Sequence, residues 1–345
     1  MKIVKAAFCA FVFSMFMVSQ SEAREIPARD IPTPSDVSKE LKEAIEGPFL
    51  PVWDARPKDA DEWKKLVKQH ADLAAANLSG LFEKLQVSCE ESVIDGVPVF
   101  LLQPERMPDA NKDRVLLFFH GGGYVFNPGK AGLGEGLYMA SAGKFKVVAV
   151  DYRLAPDFPY PAALEDAMKV YKALLKSYPA KNIGVFGSST GGGMTLALCL
   201  LAKKENLPMP GAIAPGTPWS DLSKTGDSYF TNDHIDNVLV SYEGLLEGMA
   251  KVYANGHDLK DPLLSPVYGD LSGFPPAILG TGTRDLFLSN TVRVHRKLRE
   301  ANVEADLLVI DGLSHWQYML LPPDAPEAQY YFGEVAKFFD KHLGH

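Results

Sequence analysis

The hydrophobic pattern changes rhythm several times along the chain. Ala6 to Val18 is apolar apart from Ser14. It follows Lys2 and Lys5, and Ser21-Glu22-Ala23 offers small residues at the −3 and −1 positions of a cleavage site. That is the layout of a secretory leader over residues 1–23, and a run of about 13 residues falls short of the ~20 needed to cross a bilayer. From Arg24 to Arg56 the chain is Pro-rich, with a short helix-like run over Asp36–Ile45. Asp61 opens a longer helical pattern through Leu85, with Leu66, Leu73, Leu78, Leu81 and Phe82 near helical spacing. Two strand-like runs follow, Gln86–Ile94 and Val97–Gln103, joined by the turn pair Asp95-Gly96.

Beyond residue 103 strands and helices alternate. Short apolar runs at Val115–Phe119, Lys146–Val150, Asn182–Phe186, Pro210–Ala214, Ala277–Gly280 and Ala305–Ile310 predict strands. Helices fit Ala162–Lys176, Thr190 to about Lys204, Asn290–Glu300 and Glu327–His342. Continuous apolar strands of about five residues between helices mark a parallel sheet buried on both faces, hence an α/β protein. Ser223–Gly256 interrupts the rhythm, polar at first and helical through Ser241–Tyr253, as an insertion would.

Composition narrows the class. With 345 residues, 46% of them hydrophobic, the chain buries a large core without staples. A net charge of −8 excludes a basic nucleic-acid binder. Loss of the leader takes two lysines, one glutamate and Cys9 with it, leaving a slightly more acidic chain. Cys89 and Cys199 remain and read as buried thiols, not a disulfide framework. No His, Cys and Glu grouping has metal-ligand spacing, and no cofactor is expected.

Two motifs carry chemistry. Gly187-Ser188-Ser189-Thr190-Gly191 lies between an apolar strand and an apolar helix. A nucleophilic serine needs that placement, because the helix N-terminus favours the developing anion and the tight turn admits only small flanking residues. Ser189 is its centre. His120-Gly121-Gly122-Gly123 directly follows the Val115–Phe119 strand, and consecutive glycines let backbone N–H groups face a reacting oxygen. A phosphate loop is excluded, since Tyr124 stands where its first glycine should be and Ala131 replaces its Ser or Thr.

His120-Gly-Gly-Gly, then Asp151-Tyr152-Arg153-Leu154-Ala155-Pro156, then the Gly-flanked serine resemble the hormone-sensitive-lipase-like bacterial carboxylesterases, the family IV esterases. The resemblance runs from about residue 86 to the C-terminus. It implies the α/β-hydrolase fold over 86–345, with a helical cap built from residues 24–85 and the 223–256 insertion. It also implies a Ser-acid-His order. Asp285, in Gly282-Thr283-Arg284-Asp285 after the Ala277–Gly280 strand, matches the acid, and His315, in Gly312-Leu313-Ser314-His315 after the Ala305–Ile310 strand, matches the base. The oxyanion donors are then the backbone N–H groups of Gly122, Gly123 and Thr190.

These expectations describe a secreted or periplasmic serine carboxylesterase for short- to medium-chain esters. A lactone hydrolase or small-metabolite deacetylase would use the same triad. A non-catalytic ligand-binding relative would have lost a triad member, and all three are present. The expected partner is a small-molecule ester; nucleic acid and stable membrane anchoring after leader cleavage are not expected, and a homodimer is left open. The chain departs from the family at Ser188, where an acidic residue is usual, and at Thr190, where alanine is usual. Thr190 is expected to trim the acyl pocket and Trp316 to narrow the alcohol side. Asp151 and Arg153 read as a buried structural pair, and Glu165-Asp166 as a solvated or strut pair.

Overall fold

The computed structural model describes residues 27–49 and 51–344, so the leader lies outside it. Residues 27–32 belong to a separate N-terminal unit, and the chain from Thr33 on forms one compact unit. In chain order its main elements are α1 (Lys39–Ile45), α2 (Ala60–Leu85), β1 (Val87–Ile94), β2 (Val97–Pro104), β3 (Val115–Phe119), α3 (Gly134–Gly143), β4 (Lys146–Val150), α4 (Ala162–Ser177) and β5 (Ile183–Ser188). They continue as α5 (Thr190–Lys204), β6 (Ala212–Gly216), α6 (Ser228–Thr231), α7 (Leu245–Ala254), β7 (Ala277–Gly282), α8 (Leu288–Glu300), β8 (Ala305–Ile310) and α9 (Pro326–His342).

The strands form one sheet in the order β1-β2-β4-β3-β5-β6-β7-β8. β1 and β2 make an antiparallel hairpin with Ile94 opposite Val97, and Asp95 and Gly96 both take positive φ, as a tight two-residue hairpin turn demands. β2 joins β4 antiparallel, and every pairing from β4 to β8 is parallel.

Both faces of the sheet are covered, which explains the uninterrupted apolar strands. Along β3, Val115, Leu117 and Phe119 enter one core with α4, α5 and α8, while Leu116 and Phe118 enter a second with α3 and α9. Stacking of Phe118 on Phe186, with centroids 4.8 Å apart, ties β3 to β5 in that second core. Ligands of such sheets bind beyond the carboxyl ends of the strands. His120, Ser189, Asp285 and His315 all follow the carboxyl ends of parallel strands.

The insertion and the N-terminal helices pack together near those ends. Trp63 of α2 lies over Gly248 of α7, 3.2 Å from where a Cβ would stand. The Asn237 amide donates to the Ala44 carbonyl at 2.6 Å. Among the described residues no helix is long and apolar enough to cross a membrane. Cys199 is buried as expected, Cys89 is only half-buried, and both are unpaired.

Candidate active site

Ser189 sits between β5 and α5 with φ 59° and ψ −124°, a strained backbone for a residue with a side chain. The turn closes because its neighbours lack side chains. A Cβ on Gly187 or on Gly191 would run into the Phe119 carbonyl oxygen, a backbone atom that cannot yield. The Gly216 carbonyl accepts from Ser189 N at 3.0 Å, and the Ser189 carbonyl accepts from Trp219 N at 2.8 Å. The elbow is therefore pinned from β3 and β6 together. Gly191→Ala should cost about 3 kcal/mol or more of stability by overpacking against backbone, read as a lowered urea midpoint at unchanged m-value.

The glycine loop approaches from the end of β3. A Cβ on Gly121 would lie 3.2 Å from that of Ser189. Gly122 and Gly123 have φ of 125° and 67°, conformations that only glycine adopts readily. The turn closes through the Gly122 carbonyl, which accepts from Val125 N at 3.1 Å and Phe126 N at 2.8 Å. The Gly122 and Gly123 N–H groups take no part in those bonds. Asn127 donates to the Gly121 carbonyl at 3.0 Å, and the Tyr152 hydroxyl to the His120 carbonyl at 2.6 Å. The His120 ring stacks on Tyr152 with centroids 4.2 Å apart, and burial pushes its pKa down, so it is a neutral support of the loop. Met249 of α7 packs against Gly123.

Asp285 and His315 are brought together from the ends of β7 and β8. His315 Nδ1 lies 3.1 Å from Asp285 Oδ1 and 2.9 Å from Thr217 Oγ1. Asp285 Oδ2 accepts from the hydroxyls of Thr217 and, at 2.7 Å, Thr281, while Oδ1 also accepts from Phe287 N at 2.8 Å. Burial alone would raise this carboxyl, but the His315 charge and the bonds from His315, Thr217 and Thr281 outweigh it and hold the pKa below its ordinary value. His315 Nε2 is buried without a hydrogen-bond partner, so the Ser189–His315 bond is open in this state. Catalytic hydrogen bonds often tighten only around substrate.

Three polar side chains here escaped the sequence reading. Thr217 bridges Asp285 and His315. Asp236, in the insertion, is fully buried: its Oδ1 accepts from Val238 N and Leu239 N at 2.8 and 2.9 Å, and its Oδ2 from Leu286 N and His315 N at 2.8 and 3.1 Å. Burial and the Asp285 charge push Asp236 up to about 6. Its proton is therefore held more tightly folded than unfolded; the stability this contributes is present below about pH 4 and fades as pH rises through about 6. Glu135 of α3 is the third. Ser188, standing where the family usually has an acidic residue, reaches one here, its hydroxyl donating to Glu135 Oε1 at 2.6 Å.

Other expectations need correction. Asp151 does not pair with Arg153. Its Oδ1 accepts from Gly129 N at 2.8 Å, whereas Arg153, half-exposed, binds Asp166 at 2.8 Å and Glu165 at 3.0 Å. The Glu165-Asp166 pair is a strut for that arginine. Trp316 packs with the α3 and α9 core on the far side of its loop, not on the alcohol side of the site. Thr190 is fully buried, and its hydroxyl faces Tyr152. Among the described residues no group of His, Cys, Asp and Glu could hold a metal.

A mostly parallel sheet, a strained serine elbow at the end of its central strand and a buried Asp–His pair beyond the next strands define an α/β hydrolase. Residues 116–319 match the family model described as alpha/beta hydrolase fold. An acetyl-hydrolase of Streptomyces hygroscopicus is 30% identical over 62% of this chain and 73% of its own. The crystal structure of an esterase, E25, superposes with a TM-score of 0.90 at 41% identity, over 93% of this chain and 99% of that one. An esterase from the bacterial hormone-sensitive lipase family superposes at 0.77 with 28% identity, over 89% of this chain and 99% of that one. The chain belongs to the α/β-hydrolase family, among its hormone-sensitive-lipase-like bacterial esterases, and it is a carboxylic ester hydrolase.

Proposed function

We propose that the chain is an exported serine carboxylesterase for short- to medium-chain esters, with Ser189 as nucleophile, His315 as base and Asp285 as the acid that orients it. The observation that carries this reading is the Asp285–His315 contact at 3.1 Å with Nε2 left unpartnered beyond the same strand ends as Ser189. His315 Nε2 removes the Ser189 proton as the oxygen attacks the ester carbonyl. Asp285 holds Nδ1–H and stabilises the imidazolium. The oxyanion is received by the N–H groups of Gly122, Gly123 and Thr190, the last at the N-terminus of α5, where the first N–H groups have no partner within the helix. The imidazolium then protonates the departing alcohol, and water, activated in turn by His315, releases the acid.

A short acyl group is favoured by the closeness of α7 to the oxyanion loop, where Met249 meets Gly123, and is in keeping with the acetyl-hydrolase relative. The helices α1 and α2 and the insertion act as the cap that sets this limit. Export rests on the leader in the sequence. Rates on p-nitrophenyl esters from acetate to dodecanoate, with γ- and δ-lactones alongside, test the substrate class. kcat/KM should peak between acetate and hexanoate; a maximum at dodecanoate, or lactones turned over faster than every ester, would overturn it.

A further inference from the structure

Ser188 and the turn that carries His315 are joined, beneath the site, through a buried carboxyl that the acyl transfer itself does not use. Glu135 is 3% exposed, and its neighbours are hydroxyls and an indole, not a cation. Its Oε1 accepts from Ser188 Oγ at 2.6 Å, and the same Oγ lies 2.6 Å from the Tyr318 hydroxyl. Tyr331 stacks on Tyr318 with ring centroids 3.7 Å apart. Gly216 makes room for this cluster, since a Cβ there would run into the hydroxyls of Ser188, Tyr318 and Tyr331. The Trp316 indole N–H lies on the carboxyl's side of the loop and favours its charged form.

The placement matters because of what each hydroxyl is attached to. Ser188 immediately precedes Ser189. Tyr318 belongs to the His315 turn, which the Gln317 side chain closes by accepting from Ser314 N at 2.9 Å. Each hydroxyl carries one proton, so the carboxyl sets the direction of the chain. When Glu135 is ionised, Tyr318 donates to Ser188 and Ser188 donates to Glu135. When it is protonated, the donors can reverse. The open gap at His315 Nε2 lies between the two segments this chain ties together.

We propose that Glu135 is a positioning residue for ester hydrolysis, fixing the nucleophile elbow against the His315 turn through the hydroxyls of Ser188 and Tyr318. The role rests on Ser189 being the nucleophile. The titratable groups facing Glu135 are Tyr318 and Tyr331, and burial raises both well out of the neutral range. Burial also raises Glu135, against the bond from Ser188 and the nearby indole, to about 7, so it is the member of the cluster that changes charge near neutrality.

The test compares Glu135→Leu and Glu135→Gln with the wild type on p-nitrophenyl butyrate between pH 5 and 9, with Ser189→Ala in the same panel. At pH 8 the Leu variant should lose about tenfold or more in kcat at a KM within about threefold. The Gln variant, which keeps an acceptor for Ser188, should recover most of that loss while its kcat profile loses the ionisation that Glu135 contributes. A Leu variant at wild-type kcat, equal losses in Leu and Gln, or superimposable pH profiles of Gln and wild type would each overturn the role. If the Leu variant does not fold, Tyr318→Phe breaks the chain at its other end; it should lower kcat at unchanged KM, and a wild-type kcat refutes the proposal. An active Ser189→Ala defeats the nucleophile assignment itself. An inactive one beside fully active Glu135 variants defeats only the positioning role.

Discussion

Ser189→Ala should lower kcat on p-nitrophenyl butyrate by about 10⁴- to 10⁶-fold while leaving the thermal midpoint within a few degrees of the wild type. The fold should be indifferent because alanine keeps the Cβ, and no backbone bond of the elbow uses the hydroxyl. Those bonds run from Ser189 N to Gly216 and from Trp219 N and Gly193 N to the Ser189 carbonyl. The chemistry cannot be indifferent, since without the hydroxyl there is no acyl-enzyme, and the residual rate must come from the oxyanion donors and a water activated by His315. The adjacent Ser188 offers no substitute: it is fully buried and committed to Glu135. Labelling by a fluorophosphonate should likewise fall on the peptide bearing Ser189 and vanish in the variant. Wild-type turnover by Ser189→Ala would place the nucleophile elsewhere.

The elements around the elbow were legible because packing and local signal agree there. β3 and β4 fall where the apolar runs put them, since strands buried on both faces must be apolar throughout, and α5 and the edge strand β8 keep the bounds of their own apolar runs. Where the pattern misled, a tertiary contact decided. The helix α3 has glycines at 134, 136 and 143, and reads as loop on propensity. Gly136 is nevertheless required, because a Cβ there would meet Leu102 and Phe118 at 2.9 and 3.0 Å. Overlooking α3 also hid Glu135. β6 runs Ala212–Gly216, two residues beyond the pattern's Pro210–Ala214, because its pairing with β5 starts at Ala212 opposite Gly184 and ends at Gly216 opposite Ser188. Thr217 and Asp236 bear no sequence signal at all. They are single polar residues in loops, meeting Asp285 and His315 only after the sheet has assembled.

Asp285→Asn should cost about 10⁴-fold in kcat with little change in KM, and the hydrogen bonds say why an isosteric change is so damaging. In the wild type the Thr217 proton is given to Asp285 Oδ2, which leaves Thr217 Oγ1 able only to accept from His315 Nδ1–H. Both neighbours of Nδ1 are then acceptors, the proton stays on Nδ1, and Nε2 is free to take one from Ser189. In the variant, Phe287 N, which donates to Oδ1, keeps the amide oxygen on that side and turns the NH₂ group toward Thr217 and Thr281. The Thr217 proton is released and can be donated to Nδ1, in competition with the Nδ1–H bond to the amide oxygen, which favours the tautomer with its proton on Nε2, unable to act as base. The loss should therefore depend on Thr217. Asp285→Asn combined with Thr217→Val removes the competing donor, and its kcat should recover about tenfold over Asp285→Asn alone, although Thr217→Val by itself should slow the enzyme. Additive losses in this double-mutant cycle, measured as kcat on p-nitrophenyl butyrate at pH 8, would mean that Thr217 does not control the tautomer.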